Sequence, residues 1–251
     1  MEAYVRMEVD DRGVGTITFF HPASNSLPGH ILRKLADTVR EAGQRDDVKV
    51  LVLKSAGDRA FCAGASFDEL VAISNAEEGL TFFSGFALVI NALRTCPKLV
   101  IGRVQGKTVG GGVGLASAVD HCFATQHAAV KLSELAVGIG AFVVGPAVER
   151  KMGVSAMATL AIDARRWKSA QWAANQGLYA EVFDTAQELD EAVDRLAGEL
   201  AASNPEAMTQ MKRVLWEGTE HWEKLLTERA AISGELVLSD FTRKAIAAFK
   251  A

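Results

Sequence analysis

Four glycines, Gly110, Gly111, Gly112 and Gly114, fall within five consecutive positions of the stretch TVGGGVGLASAVD over 108–120. A glycine in a helix interior costs about 1 kcal/mol relative to alanine, so such a run at a helix start needs a purpose. A second segment, RAFCAGASFDEL over 59–70, sets the small residues Ala63, Gly64 and Ala65 between a buried-strand pattern and a helical one. Free N–H groups at a helix start attract an oxygen that carries negative charge. Two such groups converging on one point form an oxyanion hole, and small side chains let a ligand reach the backbone. Each loop alone also reads as tight helix–strand packing; the two together favour a site. Nucleotide chemistry fits less well. The phosphate-loop pattern G-x-x-x-x-G-K-[ST] is absent, and GGGVGLAS lacks the final glycine at the spacing of a dinucleotide-binding turn.

Other reactive residue types offer no competing centre. His21, His30, His121, His127 and His221 are scattered without metal-ligand spacing, so no metal is expected. Cys62, Cys96 and Cys122 are odd in number and far apart, as in a reduced protein with buried thiols.

The two loops need a scaffold, and the hydrophobic pattern supplies one. Strand-like runs lie at 4–10, 14–20, 49–55, 98–104, 121–126 and 129–133, and helical stripes at 28–44 and 77–96, the former opened by Pro28. This alternation predicts an α/β core with parallel pairing, in which ligands gather at the carboxyl ends of strands. From about residue 145 the pattern turns helical, which divides the chain into an α/β core over 1–190 and a helical region over 191–251. Trp167, Trp172, Trp216 and Trp222 read there as packing or subunit-interface anchors.

At 251 residues, 49% hydrophobic and 23% charged, the chain has the make-up of a soluble globular protein. A net charge of −4 without a basic stripe argues against a nucleic-acid partner. The apolar runs are too short or interrupted to span a bilayer, and the charged start MEAYVRMEVDD has no signal-peptide core. A cytoplasmic protein with no membrane association is expected.

The motifs AFCAGASFDEL, GGGVGLASAVDHCFA, KLSELAVGIG and HPASNSL resemble, in order and spacing, those of the crotonase superfamily, the enoyl-CoA hydratase/isomerase family. SAQWAANQGLYAEVF over 169–183 resembles that family's helix–Gly–strand segment, so the likeness spans nearly the whole chain. The resemblance implies a spiral of ββα units with C-terminal helices that drive homotrimers or dimers of trimers. It implies an acyl-CoA thioester substrate, with coenzyme A entering as part of that substrate and no separate cofactor. By motif position, the backbone N–H groups of Ala65 and Gly111 would hold the thioester oxygen. Ala23, Ala63, Gly64, Gly110 and Phe142 would line the path of the acyl group and CoA. His21, where relatives often carry arginine, would either contact CoA phosphates or stand in solvent. Ser66 suits a helix cap, and Cys62 reads as packing. Where relatives extend a basic tail to a neighbour's CoA, Lys244, Phe249 or Lys250 would have to serve.

The carboxylate count then matters. Hydratases of the family carry two glutamates, which hold, deprotonate and aim a water while a proton is delivered. Motif position makes Glu134 the second; Gly114 stands where the first would be. Phe142, Val143 and Val144 replace a small, partly polar loop of many hydratases. An apolar lining holds water poorly and raises the pKa of a buried carboxyl. One carboxylate beside an oxyanion hole suits a proton shuttle, the Δ3-to-Δ2 isomerisation of an enoyl-CoA. Alternatives remain: hydration or dehydration with a second acid drawn from Asp68, Glu69 or an inward-turned Glu149; decarboxylation or thioester hydrolysis; or acyl-CoA binding without catalysis.

Overall fold

The structure, a computed structural model, describes residues 2–250, without the side chains of residues 249 and 250. It opens with β1 (Tyr4–Val9) and β2 (Val14–Phe20), an antiparallel hairpin. Asp10 pins the turn, its Oδ1 accepting from the N–H groups of Arg12 at 3.0 Å and Val14 at 2.9 Å. The helix α1 (Gly29–Gln44) buries Ile31, Leu35, Val39 and Ala42, the stripe its periodicity foretells, and Pro28 stands just before its first turn.

From there the strands come in pairs. β3 (Val50–Ser55) and β4 (Ala60–Cys62) lead into α2 (Phe67–Ala72) and α3 (Ala76–Thr95). β5 (Val100–Val104) and β6 (Lys107–Val109) lead into α4 (Gly111–Ala118). β7 (His121–Thr125) and β8 (Val130–Lys131) lead into a 3-10 turn over Glu134–Val137 and then α5 (Gly145–Ile162), which kinks at Gly153. α6 (Ala170–Asn175) and β9 (Glu181–Phe183) complete the sheets. The first strand of each pair joins a six-stranded sheet in the order β1-β2-β3-β5-β7-β9. The second joins a three-stranded parallel sheet in the order β4-β6-β8. This is the α/β spiral of ββα units that the motifs imply, with a helical C-terminal region.

Four helices follow: α7 (Ala186–Ala201), α8 (Pro205–Leu215), α9 (Trp222–Leu236) and α10 (Asp240–Lys250). α7 starts with a capping box between Thr185 and Glu188 and lays Leu189, Val193 and Ala197 on Val50, Ile101 and Phe123 of the large sheet. Trp222, Leu226 and Ala230 of α9 enter the main core. α9 crosses α3 at a pair of glycines, where a Cβ on Gly79 would come within 2.7 Å of the Gly234 Cα. α10 rests on the 3-10 turn, and Thr242 Oγ1 donates to the Gly138 carbonyl at 3.0 Å. Lys244 is exposed on α10, while the side chains of Phe249 and Lys250 lie outside the described residues.

Two features differ from the sequence pattern. The three-residue strands β4, β6 and β9 are too short to show alternation. α4 begins at Gly111 and takes Gly111, Gly112 and Gly114 into its own turns. No described helix is long and apolar enough to cross a membrane.

Candidate active site

β4 and β6 end side by side, and the two small-residue loops leave from them. Leu27 forms a parallel bridge to Ala65: its N–H donates to the Gly64 carbonyl at 2.8 Å, and the Ser66 N–H donates to the Leu27 carbonyl at 3.0 Å. Alternation along the strand therefore turns the Ala65 N–H away from Leu27. Gly64, at φ 90, lets the loops abut; a Cβ there would meet the Val109 carbonyl at 3.4 Å and the Gly111 nitrogen at 3.9 Å. Gly110, at φ 53 and ψ −117, turns the chain into α4 through a conformation that favours glycine. Gly111 is the first helical residue, so its N–H has no intrahelical acceptor. Among the described residues neither the Ala65 nor the Gly111 N–H donates to another group. Both residues line one cavity of about 370 Å³.

Glu134 lines the same cavity. It opens the 3-10 turn that Gly138 closes at φ 83, the residue to which Thr242 is tied. Its Oε1 lies against Gly110, where a Cβ would approach it to 3.0 Å. The residue as a whole is half-buried, but its Oε2 is enclosed and has no hydrogen-bond partner among the described residues. Burial pushes the Glu134 carboxyl up to about 7, against the opposing pull of the Glu134 and Ser133 backbone N–H groups. A carboxylate of that pKa beside two free N–H donors can take and return a proton next to a polarised carbonyl.

The rest of the wall is mainly apolar, with Leu70, Phe82, Phe86, Ile139, Phe142, Val143 and Val144 among its residues. Phe86 lies flat on Gly111, where any Cβ would overlap its ring. A Cβ on Gly114 would come 2.6 Å from Val144 Cγ1 and 3.4 Å from Ile90 Cδ1. The space beyond Gly114 is thus occupied by Val144. Among the described residues, Glu134 is the one carboxylate on the wall.

Ala63, Gly64, Gly110 and Phe142 line the cavity. Ala23 does not: it is exposed on the loop before α1, its N–H donating to His21 Nδ1 at 3.3 Å. His21 is also off the wall, and burial together with the nearby His30 lowers its pKa. The candidate second acids stay outside as well. Asp68 is exposed on α2 and Glu149 on α5, because each occupies the outer face of its helix. Glu69 is taken up by the Gly29 N–H, which donates to its Oε2 at 2.8 Å. Ser66 caps α2 by accepting from the Glu69 N–H at 3.3 Å. The Cys62 thiol is buried, and that burial pushes it up to about 12, so it is a packing group and no nucleophile.

Sequence reasoning missed several wall residues, among them Phe86, Lys131 and Trp167. Trp167 reads in the sequence as a packing anchor, yet it stands at the cavity rim, 41% exposed.

A model of the enoyl-CoA hydratase/isomerase family matches residues 10–250. The chain belongs to that family. Within it, a peroxisomal Δ(3,5)-Δ(2,4)-dienoyl-CoA isomerase of Arabidopsis thaliana is 27% identical, over 99% of this chain and 95% of its own. A (7aS)-7a-methyl-1,5-dioxo-2,3,5,6,7,7a-hexahydro-1H-indene-carboxyl-CoA hydrolase of Rhodococcus jostii is 29% identical, over 82% of this chain and 78% of its own. The crystal structure of an enoyl-CoA hydratase of Mycobacterium smegmatis superposes with a TM-score of 0.80 at 27% identity, covering 86% of this chain and 83% of that one. The enoyl-CoA hydratase/isomerase scaffold therefore carries several reactions, and the residues of the cavity must select among them.

Proposed function

We propose that the chain is a one-carboxylate enoyl-CoA isomerase that moves a double bond from the 3 to the 2 position of an acyl-CoA thioester. The observation that supports this reading is the occupation of the Gly114 pocket by Val144, which leaves Glu134 without a second acid on the wall. Hydration needs a water held between two groups; an apolar surface of Phe142, Val143 and Val144 offers it no partners.

In the proposed reaction the thioester oxygen accepts hydrogen bonds from the Ala65 and Gly111 N–H groups. The Glu134 carboxylate takes a proton from C2 of the 3-enoyl group, and the electron pair of that C–H bond delocalises into a dienolate. The oxyanion is held by the two N–H groups, each worth roughly 3–4 kcal/mol toward such a transition state. Glu134 then returns the proton to C4, and the double bond settles between C2 and C3. The proton leaves and re-enters through one group, so the enzyme ends as it began. A carboxyl titrating at about 7 is balanced for both halves of this exchange.

The acyl-CoA substrate and assembly as a homotrimer or dimer of trimers are part of this reading. Val154, Ile162 and Phe241, at 67%, 75% and 70% exposure, supply apolar surface for subunit contacts.

The test is turnover of a 3-enoyl-CoA to its 2-enoyl isomer by the purified protein, followed in D2O. The reading expects isomerisation, exchange at C2 and loss of both in Glu134→Gln. Conversion of a 2-enoyl-CoA to the 3-hydroxyacyl-CoA at a comparable rate would overturn it.

A further inference from the structure

The small sheet presents a row of side chains to the cavity, and one end of that row is cationic. Thr108 pairs with Cys62 on one side and Val130 on the other, and all three face the core, fully buried. The residue after each, Ala63, Val109 and Lys131, points the opposite way and lines the cavity. Lys131 therefore stands two strand spacings, roughly 10 Å, from Ala63. The antiparallel bridge between Val130 and Lys168 sets Trp167 beside Lys131. The Lys131 Nζ lies 4.8 Å from the centre of the Trp167 ring, and the Lys107 Nζ lies 5.2 Å from it.

Lys131 is, among the described residues, the one cationic side chain on the cavity wall. Neither it nor Lys107 forms an ion pair among the described residues, whereas Lys168, next to Trp167, is paired with Asp163 at 3.0 Å. Glu134 is beyond ion-pair distance and leaves the ammonium free. An unpaired ammonium beside an indole face, at the edge of an otherwise apolar chamber, is a site for an anion carried on an apolar body.

We propose that Lys131 and Trp167 bind a carboxylate at the far end of the substrate's acyl group, so that the preferred substrates are CoA monothioesters of dicarboxylic acids. This rests on the acyl-CoA reading of the site given above. The strand order favours the acyl end over the CoA phosphates. Ser26, Ala63 and Gly64 lie at the β4 side of the cavity and Lys131 at the β8 side, with Gly111 reached from the strand between and Glu134 in the turn that follows β8. A thioester held at Gly111 with its CoA arm leaving along β4 points its acyl chain toward β8.

The test is calorimetric titration of the intact protein with adipoyl-CoA against hexanoyl-CoA, and suberoyl-CoA against octanoyl-CoA. A charge-assisted contact predicts about tenfold or more tighter binding of the dicarboxylate esters. Lys131→Met is expected to erase that preference and leave the uncharged esters unaffected; Lys131→Arg is expected to keep most of it and shows that the position tolerates change. Equal affinity for the two ester types in the native protein would overturn the proposal. So would a Lys131→Met loss that is equal for both ester types and disappears with the dephospho-CoA esters, an outcome that assigns the cation to the CoA phosphate. Binding needs no turnover. A protein that selects dicarboxylate esters but does not isomerise a 3-enoyl-CoA overturns the reaction reading alone, and one that isomerises without selectivity overturns this inference alone.

Discussion

Two acids of this molecule are withdrawn from solvent, and they are treated in opposite ways. Asp120, in the turn between α4 and β7, is saturated. Its Oδ2 accepts from Lys212 Nζ at 2.6 Å and from the Val100 N–H at 2.7 Å, and its Oδ1 from Trp216 Nε1 at 2.7 Å. Lys212, itself buried, passes a further hydrogen bond to the Leu93 carbonyl at 2.9 Å. That one carboxylate joins α3, β5, α8 and the turn before β7. Glu134 has an enclosed oxygen with no partner among the described residues and a pKa raised to about 7. A buried polar group with every bond made is a joint; one left unsatisfied is held ready for something that arrives later.

The contrast can be broken in several places. The largest effect is expected at Glu134→Gln, with kcat/KM reduced by about 10²–10⁴-fold, the range for loss of a positioned acid–base group. The fold should not suffer. A carboxyl whose pKa is raised on folding binds its proton more tightly in the native state, so the native protein loses stability as pH rises from about 4.5 through about 7. The amide has no such loss, and the melting temperature of Glu134→Gln should exceed that of the native protein by more at pH 8 than at pH 5. Asp120→Ala should do the reverse. Leaving Lys212 buried and unpaired costs about 3–5 kcal/mol, a fall in Tm on the order of 10 °C, while the activity of the molecules that remain folded changes little. A loss of turnover without destabilisation at Asp120 would end the distinction.

The pH profile sharpens it. The base form of Glu134 is lost as pH falls through about 7, so kcat/KM on a 3-enoyl-CoA should drop with a single ionisation there and approach a tenfold loss per unit below it. A second ionisation on the same limb would mean that another acid enters the reaction. Next in size is Gly114→Ala. Its methyl would press on Val144 at 2.6 Å, an overpacking cost of about 1–3 kcal/mol. Val144→Ala in the same chain should recover part of it, a non-additivity that a thermal double-mutant cycle measures. The smallest is Thr242→Val, which removes the hydrogen bond to Gly138 at a cost of about 1 kcal/mol. Because that bond holds the turn carrying Glu134, the variant should lower kcat more than its small change in Tm suggests.

Much of the scaffold is written plainly. β1, β2, β3, β5 and β7 carry runs of five to seven residues, and α1 a full amphipathic stripe, long enough for period to speak. β4, β6 and β9 have three residues each, and their strand character comes from neighbours distant in sequence. α4 is illegible for another reason. Its glycines are poor helix formers, retained because Gly112 lies against the Cys62 carbonyl at a would-be Cβ distance of 2.6 Å and Gly111 under Phe86. The candidate site divides the same way. Gly111, Ala65 and Glu134 stand in motifs whose order can be read along the chain. Val144 filling the pocket at Gly114, and Lys131 meeting Trp167, are encounters across the fold that no local pattern announces.

The crossing of α3 and α9 at Gly79 and Gly234 bears on how the chamber can be remodelled. α3 contributes Phe82, Phe83 and Phe86 to the wall and α9 contributes Ser233. The two helices already touch backbone to backbone, so they have no closer approach to make. When a large side chain is trimmed in an ordinary core, neighbours sag inward and take back part of the void. Here that collapse is blocked by main-chain contact. Room opened at Phe82 would stay open, which makes this wall a place where the size of the accommodated acyl group can be set one residue at a time.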